Sequence, residues 1–288
     1  MTMSKYMHLK VAVKRAIKSQ FRRAWLRFVR TNQAFSRQDL LSGLRKLGVR
    51  QGSVLLVHSS FDSFTGFAGK ATDVNRTLLD SVAPTGTILM PTIPFSGTAV
   101  DYVSSGRVFD VGKTPSQMGL LTELFRRQAG TIRSSHPTHS VAASGPLAEE
   151  LIAGHHRAKT PCGKGTPYAR LLDVNGHILL MGTDIGAMTF YHYVEEELEP
   201  QLPFSPFTTE VFTLHARDVN GTLVTTETRL FNPQRSRSRN LQKLVPFLKK
   251  RNLWNEIRIG RLPLILLSAD GVRSTCREMA LRGIYPYD

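Results

Sequence analysis

The chain has 288 residues, of which 41% are hydrophobic and 21% charged, and its formal net charge is +16. This suits one large or two small globular domains with an ample core, and no run of about 18 uncharged apolar residues predicts a membrane-spanning helix. The two cysteines, Cys162 and Cys276, fit neither a metal-binding spacing nor a disulfide framework, and the start lacks a secretory segment, so we expect a cytoplasmic protein.

The positive charge is concentrated in two segments. Residues 1–38 contain ten Lys or Arg and no acid, and residues 228–255 form a second basic run without a carboxylate. A basic surface attracts nucleic acid, anionic lipid or an anionic substrate, although a charge run is often only a solvated surface. Charge alone leaves all of these alternatives open.

The first segment predicts a basic amphipathic helix over residues 9–30. Val13, Ile17, Phe21 and Phe28 recur at helical spacing on one face, with Lys and Arg beside them. Such a helix can lie on an anionic membrane, but aromatic stripes more often pack against their own domain or a second subunit. We treat residues 1–35 as an extension and residues 36–288 as a single domain.

From Ser36, a predicted helix start, helices and buried strands alternate along the chain. Strands are predicted at residues 53–58, 87–90 and 177–181, and helices at residues 72–82, 116–127 and 189–198. This alternation predicts an α/β fold whose central mixed, partly parallel sheet is covered by helices.

The last third predicts an antiparallel hairpin elaboration of that fold. Residues 211–214 and 222–230 flank Asp218-Val219-Asn220-Gly221, and Asn-Gly favours a hairpin because both residues tolerate positive φ. A strand at residues 262–267 and a helix at residues 274–281 complete the predicted domain.

The predicted helix over residues 189–198 carries a candidate general base. His192 shares a helical face with Glu195 and Glu196, and a carboxylate beside an imidazole can orient the ring for proton transfer. Asp184 follows a buried strand, at the end where functional groups collect in open α/β sheets. Such pairs also occur by chance on helix surfaces.

Three further segments are rich in polar donors. His136 and His139 stand in a loop without a nearby acid or cysteine, so we predict a polar-ligand loop and no metal site. Ser116 is expected to cap the helix that follows, where free amides attract anions. His58 begins a polar run that ends the first buried strand. Each segment has a plain structural alternative, such as a satisfied turn or an ordinary helix cap.

Taken in order, these segments resemble the aminoglycoside 3-N-acetyltransferase family, more broadly the antibiotic N-acetyltransferases. The similarity covers roughly residues 36–270 and leaves residues 1–35 outside. The matching pieces are His58-Ser59-Ser60, Met90-Pro91-Thr92, Phe109-Asp110, Thr114-Pro115-Ser116-Gln117-Met118-Gly119, residues 136–143, Leu180-Met181-Gly182 and residues 189–195.

The resemblance implies an α/β fold, acetyl-coenzyme A as donor, an amine as acceptor and no metal. It implies a histidine base with a carboxylate partner, which maps to His192 and Glu195, with His139 as the second candidate. Asp184 and Glu196 are expected to contact the acceptor. The expected coenzyme-binding residues are His58, Ser59, Ser60, Lys113, Thr114, Ser116, Met118, Gly119, His136, Thr138 and Ser140.

The acceptor is inferred from charge. Only one acid, Asp101, lies between Thr92 and Phe109, whereas a polycationic aminoglycoside is usually held by several carboxylates. We therefore expect an amino sugar of surface polysaccharide biosynthesis, with aminoglycoside resistance as the first alternative. The second alternative is a non-enzymatic basic protein on a membrane surface or nucleic acid, although no nucleic-acid-binding signature is found.

The expected partners follow from the same reasoning. They are a small-molecule amino sugar, no nucleic acid, and an anionic membrane reached through residues 9–30 at the inner face of the membrane. The oligomeric state is left open.

Overall fold

The computed structural model describes residues 33–288, so the helix predicted over residues 9–30 lies outside the described residues. Phe35, which lies just before the predicted domain start at residue 36, is buried in the core and pairs with Phe67 through an isolated bridge. The extent of the predicted N-terminal extension otherwise stays a prediction.

Ten strands and ten α-helices occur within residues 33–288. The strands are β1 (Val54–Ser59), β2 (Thr87–Pro91), β3 (Phe109–Asp110), β4 (Ile132–Arg133), β5 (Val141–Ser144), β6 (His177–Met181), β7 (Phe207–Arg217), β8 (Leu223–Phe231), β9 (Asn255–Ile259) and β10 (Leu262–Ser268). The helices are α1 (Arg37–Leu47), α2 (Ala71–Val82), α3 (Ala99–Ser104), α4 (Leu120–Arg126), α5 (Ala148–Ile152), α6 (Pro167–Asp173), α7 (Tyr191–Glu197), α8 (Pro233–Ser238), α9 (Val245–Lys250) and α10 (Ala269–Ala280).

The central sheet has the order β4-β5-β2-β1-β6-β10-β9. Strands β2, β1 and β6 are parallel neighbours, whereas β5, β4, β10 and β9 run antiparallel to the strands beside them. The predicted mixed, partly parallel sheet is therefore confirmed.

Both faces of this sheet are covered because successive residues of a strand point to opposite sides. Leu56 and Leu180 belong to the core under α5, α6, α7, α9 and α10, whereas Leu55 and Leu179 belong to the core under α1, α2 and α4. The near-continuous apolar runs of β1 and β6 follow from this two-sided burial.

The predicted hairpin in the last third is confirmed as β7 and β8, which with β3 form a second, three-stranded sheet. The turn differs from the predicted Asn-Gly geometry: Gly221 has φ of 82°, but Asn220 is not in the positive-φ region. Instead, Asp218 Oδ1 accepts hydrogen bonds from the amides of Asn220 and Thr222, which organises a longer loop.

One edge of the central sheet gathers the polar segments. The carboxyl ends of β1 and β6 meet where Ser59 pairs with Met181, and the end of β2 meets the start of β5 where Pro91 pairs with Val141. The loops after β1, β2 and β6 and before β5 are thereby placed together, as expected for the carboxyl edge of parallel strands. None of the helices within residues 33–288 has the length and apolar character needed to cross a membrane.

Candidate active site

The first turn of α7 presents His192 beside Glu195, as their spacing predicted. His192 Nδ1 lies 3.3 Å from Glu195 Oε2, and the histidine side chain is 17% exposed whereas the carboxylate is fully buried. A carboxylate at Nδ1 holds the ring proton there and leaves Nε2 free to accept a proton. The pair therefore has the geometry of an oriented general base.

Glu195 is also held by two residues that lie far away in the sequence. Its Oε1 atom accepts a hydrogen bond from Arg239 Nε at 2.8 Å and another from the Tyr287 hydroxyl. Burial alone raises the pKa of Glu195, but its contacts with His192 and Arg239 hold the pKa below its usual value. The buried carboxylate is thus ionised and has donors on both oxygens.

A cavity of about 240 Å³ opens above this pair. Its described lining comes from Ile93 and residues 95–99 after β2, together with Met118, His139, His192, Phe231, Ser236 and Arg239. The Phe231 ring lies 4.5 Å from the His192 ring and 5.5 Å from the His139 ring, centroid to centroid, so one aromatic wall positions both histidines.

Both cavity histidines are neutral near pH 7. Burial, followed by the Arg239 charge, lowers the pKa of His192, although Glu195 opposes this shift. Burial and the neighbouring His192 lower the pKa of His139 further. Among residues 33–288, the hydrogen-bond partner of His139 Nδ1 is the Thr138 hydroxyl, at 3.0 Å, and not a carboxylate that would orient a base. His192 is therefore the better-placed base.

The predicted coenzyme segments reach the same sheet edge, but several of their side chains point inward. His136 is fully buried and its Nδ1 accepts from the amides of Thr138 and His139, at 3.3 Å each. The Ser140 hydroxyl donates to the Thr92 carbonyl at 2.9 Å. Within residues 33–288, only Met118 and His139 of the 113–140 region line the cavity.

His58, Ser59 and Ser60 lie at the carboxyl end of β1, close to His192. His58 is buried, and its Nε2 has no hydrogen-bond partner among the described residues. Burial, followed by the nearby His192, lowers the pKa of His58 to about 3. An unpaired buried nitrogen at a predicted coenzyme segment is a place where a ligand group would find a partner.

The prediction that Ser116 begins a helix is wrong. Helix α4 starts at Leu120, after Gly119 with φ of 107°, and the Ser116 amide donates to Glu123 Oε2 at 2.8 Å. The other amides of this loop are also occupied, since Thr114, Gln117 and Met118 donate to Asp110 O, Ile93 O and Ser116 Oγ. The amides of the Thr114–Met118 loop are therefore occupied, and the predicted anion site stays a prediction for the first turn of α4, which begins after Gly119.

The side chain of Lys113 is exposed and stays a predicted phosphate contact. The Lys113 backbone amide donates a hydrogen bond to Asp110 Oδ1.

The two carboxylates predicted to contact the acceptor lie outside the His192 cavity. The exposed Asp184 accepts a hydrogen bond from the Gly186 amide at 2.8 Å. Glu196 accepts from the Thr160 hydroxyl at 2.6 Å and lines a different pocket with Lys164. Helical spacing placed Glu196 near His192, but the side chain turns to the loop that precedes α6.

Sequence reasoning missed Arg133, a buried residue that joins the predicted segments. Its guanidinium donates to the carbonyls of Thr92 and Thr114, both at 2.6 Å, and to the Ser140 hydroxyl at 3.1 Å. Its cation lies 4.6 Å from the Phe109 ring centre, and burial lowers its pKa to about 9. No short-range pattern marks it, because Thr92 and Thr114 lie 41 and 19 residues away in the sequence and even Ser140 lies seven residues away.

A metal centre has no support in the described part of the chain. Among residues 33–288, no group of three or more His, Cys, Asp or Glu side chains is placed to hold a metal ion.

Comparison with known proteins identifies relatives of this chain. The family model described as aminoglycoside 3-N-acetyltransferase matches residues 56–280. Aminoglycoside N(3)-acetyltransferase III of Acinetobacter baumannii is 31% identical over 172 residues, which are 56% of this chain and 60% of the relative. Aminoglycoside N(3)-acetyltransferase IX of Micromonospora chalcea is 31% identical over 173 residues, which are 56% of this chain and 61% of the relative. The chain thus spans less than two thirds of these relatives.

Solved structures share the fold. The apoenzyme of aminoglycoside acetyltransferase AAC(3)-IVa superposes with a TM-score of 0.67 at 25% identity, covering 86% of this chain and 89% of the other. The AAC-IIIb binary complex with CoASH gives a TM-score of 0.74 at 19% identity, covering 88% and 99%. The second likeness concerns the fold alone.

Proposed function

The chain belongs to the aminoglycoside 3-N-acetyltransferase family, and we propose that it transfers the acetyl group of acetyl-coenzyme A to an amino group of an amino sugar, the class of acceptor that includes the aminoglycosides. The observation that carries the proposal is His192, which lines the cavity and whose Nδ1 is hydrogen-bonded to the buried Glu195 carboxylate. The two relatives compared above are named as aminoglycoside acetyltransferases, which supports an amino-sugar acceptor and gives no support to a surface-polysaccharide sugar.

The chemistry requires removal of a proton from the acceptor nitrogen. The neutral amine attacks the thioester carbonyl carbon while His192 Nε2 accepts its proton. The carbon–sulfur bond then breaks, and the coenzyme A thiolate takes the proton from the imidazolium, which restores neutral His192. The lowered pKa of His192 keeps the ring neutral near pH 7, as a base must be. Glu195 stabilises the imidazolium that forms.

Direct transfer is favoured over an acyl-enzyme. Cys162 is fully buried, and burial together with Glu196 and Glu195 raises the pKa of its thiol well above the usual value. A thiol held in the protonated form is a poor nucleophile.

The coenzyme would be held at the sheet edge described above. The unpaired Nε2 of His58 and the neighbouring Ser59 and Ser60 suit the thioester or its pantetheine chain, and Lys113 suits a phosphate. Acetyl-coenzyme A supplies the activated acetyl group. A solved structure with the same fold, the AAC-IIIb binary complex with CoASH, supports coenzyme A as the carrier of the acetyl group by analogy of fold.

Thiol release from acetyl-coenzyme A tests the proposed function. We expect turnover with at least one member of a panel that contains gentamicin, sisomicin, apramycin, amino sugars and nucleotide-linked amino sugars. No thiol release with any amine, together with no calorimetric binding of acetyl-coenzyme A, would contradict the proposal. Expression in a sensitive bacterium then shows whether turnover of an aminoglycoside confers resistance.

Membrane contact through residues 9–30 of a cytoplasmic protein is a separate proposal. The apolar stripe flanked by Lys and Arg supports it, since each basic residue near an anionic surface adds about 1 kcal/mol. Deleting residues 1–30 is expected to abolish sedimentation with anionic vesicles at unchanged thermal stability. A large fall in melting temperature, without vesicle binding by the intact chain, would instead assign the segment to packing within the chain or an oligomer.

A further inference from the structure

The charge of the His192 cavity is opposite to what a polycationic acceptor requires. Apart from its two neutral histidines, the described lining has one ionisable side chain, Arg239, and it includes no Asp or Glu. An ammonium group that enters the cavity therefore meets a guanidinium and finds no carboxylate among the residues that line it.

The nearby carboxylates Glu195 and Asp101 lie outside this lining. Glu195 is fully buried, and its oxygens accept from His192, Arg239 and Tyr287. Asp101 accepts from the Thr98 hydroxyl at 2.6 Å and lines an adjoining pocket that Arg107 also lines.

Residues outside the described range 33–288 cannot supply the missing acid. Residues 1–32 contain no Asp or Glu, whatever position they take. Residues 1–32 therefore cannot add a carboxylate to the cavity.

The cavity meets the positive end of the Arg239–Glu195 pair. Glu195 is fully enclosed, whereas the Arg239 side chain is 13% exposed and contributes to the lining. Arg239 uses Nε to bind Glu195, and its Nη2 has no hydrogen-bond partner among residues 33–288. A buried N–H group without an acceptor is costly, and an anionic oxygen is the partner that a guanidinium binds most strongly.

We propose that Arg239 determines the acceptor class: an amino sugar whose reacting amine is the only ammonium in the cavity and which carries an anionic phosphate or carboxylate facing Arg239. This inference rests on the proposed acetyl transfer. The volume of about 240 Å³ suits a single ring, since sites for drug-sized ligands usually occupy about 300–1,000 Å³. Aminoglycosides whose entering ring carries several ammonium groups are then poor acceptors.

The first experiment compares acceptors at fixed ionic strength. The kcat/KM of the full chain is measured for glucosamine, its 1-phosphate, its 6-phosphate, and sisomicin. We expect at least one phosphate ester to exceed glucosamine by about tenfold or more, the factor that one charge-assisted hydrogen bond supplies, and sisomicin to fall below both. A higher kcat/KM for sisomicin than for every phosphate ester would overturn the inference, whereas turnover of no amine at all would instead remove the proposed function.

Variants connect this preference to Arg239. The ratio of kcat/KM for the phosphate ester to that for glucosamine should fall to about one in Arg239→Gln and stay above one in Arg239→Lys. Because both acceptors are turned over by the same variant, a general loss of activity cancels in the ratio. Arg237→Gln is the matched control, since Arg237 is an exposed residue of α8 that lies outside the lining. An unchanged ratio in Arg239→Gln would overturn the inference.

A second variant keeps the test valid if Arg239→Gln does not fold. Ser236→Asp places a carboxylate in the lining without removing a partner of Glu195. The ratio of kcat/KM for sisomicin to kcat/KM for the phosphate ester should rise by about tenfold or more. Calorimetry of acetyl-coenzyme A binding shows whether Arg239 contacts a phosphate of the coenzyme or a phosphate of the acceptor. Weaker acetyl-coenzyme A binding by Arg239→Gln with an unchanged acceptor ratio would assign Arg239 to the coenzyme and overturn the inference.

Discussion

Replacing Glu195 with Gln tests the proposed orientation of the base. Arg239 and Tyr287 both donate to Oε1, so the amide oxygen of Gln takes that position and its NH₂ group faces His192 Nδ1 at about the observed 3.3 Å. An NH₂ group only donates, so Nδ1 becomes the acceptor and the ring proton moves to Nε2. The nitrogen that must accept the substrate proton is then blocked.

The expected loss in turnover is large. The equivalent carboxylate-to-amide change in a Ser-His-Asp triad lowers kcat by about 10⁴ because it fixes the wrong tautomer. We expect Glu195→Gln to lower kcat by about 10³ to 10⁴ at every pH at which the enzyme is folded, as measured by thiol release.

The same change destabilises the fold, because Arg239 loses its counterion. Breaking one partner of a buried ion pair costs about 3–5 kcal/mol, and for a domain of this size about 2–4 °C is lost per kcal/mol, so the melting temperature should fall by roughly 6–20 °C. The folded pKa of Glu195 lies below its usual value, so its contribution is present above the unfolded pKa and is lost as pH falls through the folded pKa. The difference between variant and wild type should therefore narrow in acid.

Glu199→Gln is the matched control. Glu199 pairs with Arg229, its side chain is 24% exposed, and it lies outside the described cavity lining. We expect this variant to keep its kcat. If Glu195→Gln keeps a kcat within tenfold of wild type while its melting temperature falls, Glu195 is a structural residue and the tautomer argument is wrong.

The remaining predictions concern the base, the coenzyme and acid stability. His192→Ala should keep the fold and lower turnover by about 10² to 10⁴, the usual range for general-base catalysis, whereas near-normal turnover would move the role to His139. Acetyl-coenzyme A should raise the melting temperature of the wild type, and Lys113→Ala should reduce that rise; an equal rise in both would remove Lys113 from the coenzyme site. Burial lowers the pKa of His58 to about 3 and that of His155 to about 4, so the unfolded chain binds more protons than the folded chain below about pH 6.5. The free energy of unfolding should therefore fall by about 1.4 kcal/mol per pH unit for each residue as the pH is lowered. Measuring the free energy of unfolding as a function of pH tests this. His155→Asn should make that slope shallower, and an unchanged slope would contradict the assignment.

The parts of the fold and site that depend on local periodicity could be predicted from the sequence. Buried strands read as continuous apolar runs, and the helical spacing of His192 and Glu195 was enough to place them together. By contrast, Arg239 and Tyr287 reach Glu195 from 44 and 92 residues away, and no local pattern encodes contacts over such separations.

Local rules also failed where two of them competed. Ser116 has the chemistry of a helix cap, but Gly119 adopts a positive φ that begins the helix later, and Glu123 reaches back to the Ser116 amide. The start of the helix depends on which acceptor binds the Ser116 amide in the folded chain, and helix propensity does not specify that acceptor. Glu196 shares the helical spacing of Glu195, yet the Thr160 hydroxyl binds it in another pocket.

Arg239 links the proposed acceptor preference to the pH dependence of the base. The groups around His192 are Glu195, which raises its pKa, and Arg239, which lowers it, with the neutral His139 and His58 beside them. Removing the positive charge in Arg239→Gln should raise the pKa of His192 and shift the acid limb of kcat/KM to higher pH, while Arg239→Lys should keep it near its wild-type position.

The same loss of charge should raise kcat/KM for polycationic acceptors, because the guanidinium that repels their ammonium groups is gone. The two effects have one electrostatic origin, so they should appear together in Arg239→Gln and disappear together in Arg239→Lys. A pH profile is measured for glucosamine, whose sole ammonium group keeps acceptor charge constant across the variants. If the acid limb stays fixed while acceptor preference changes, Arg239 acts on the acceptor by shape or contact, and its charge does not control the base.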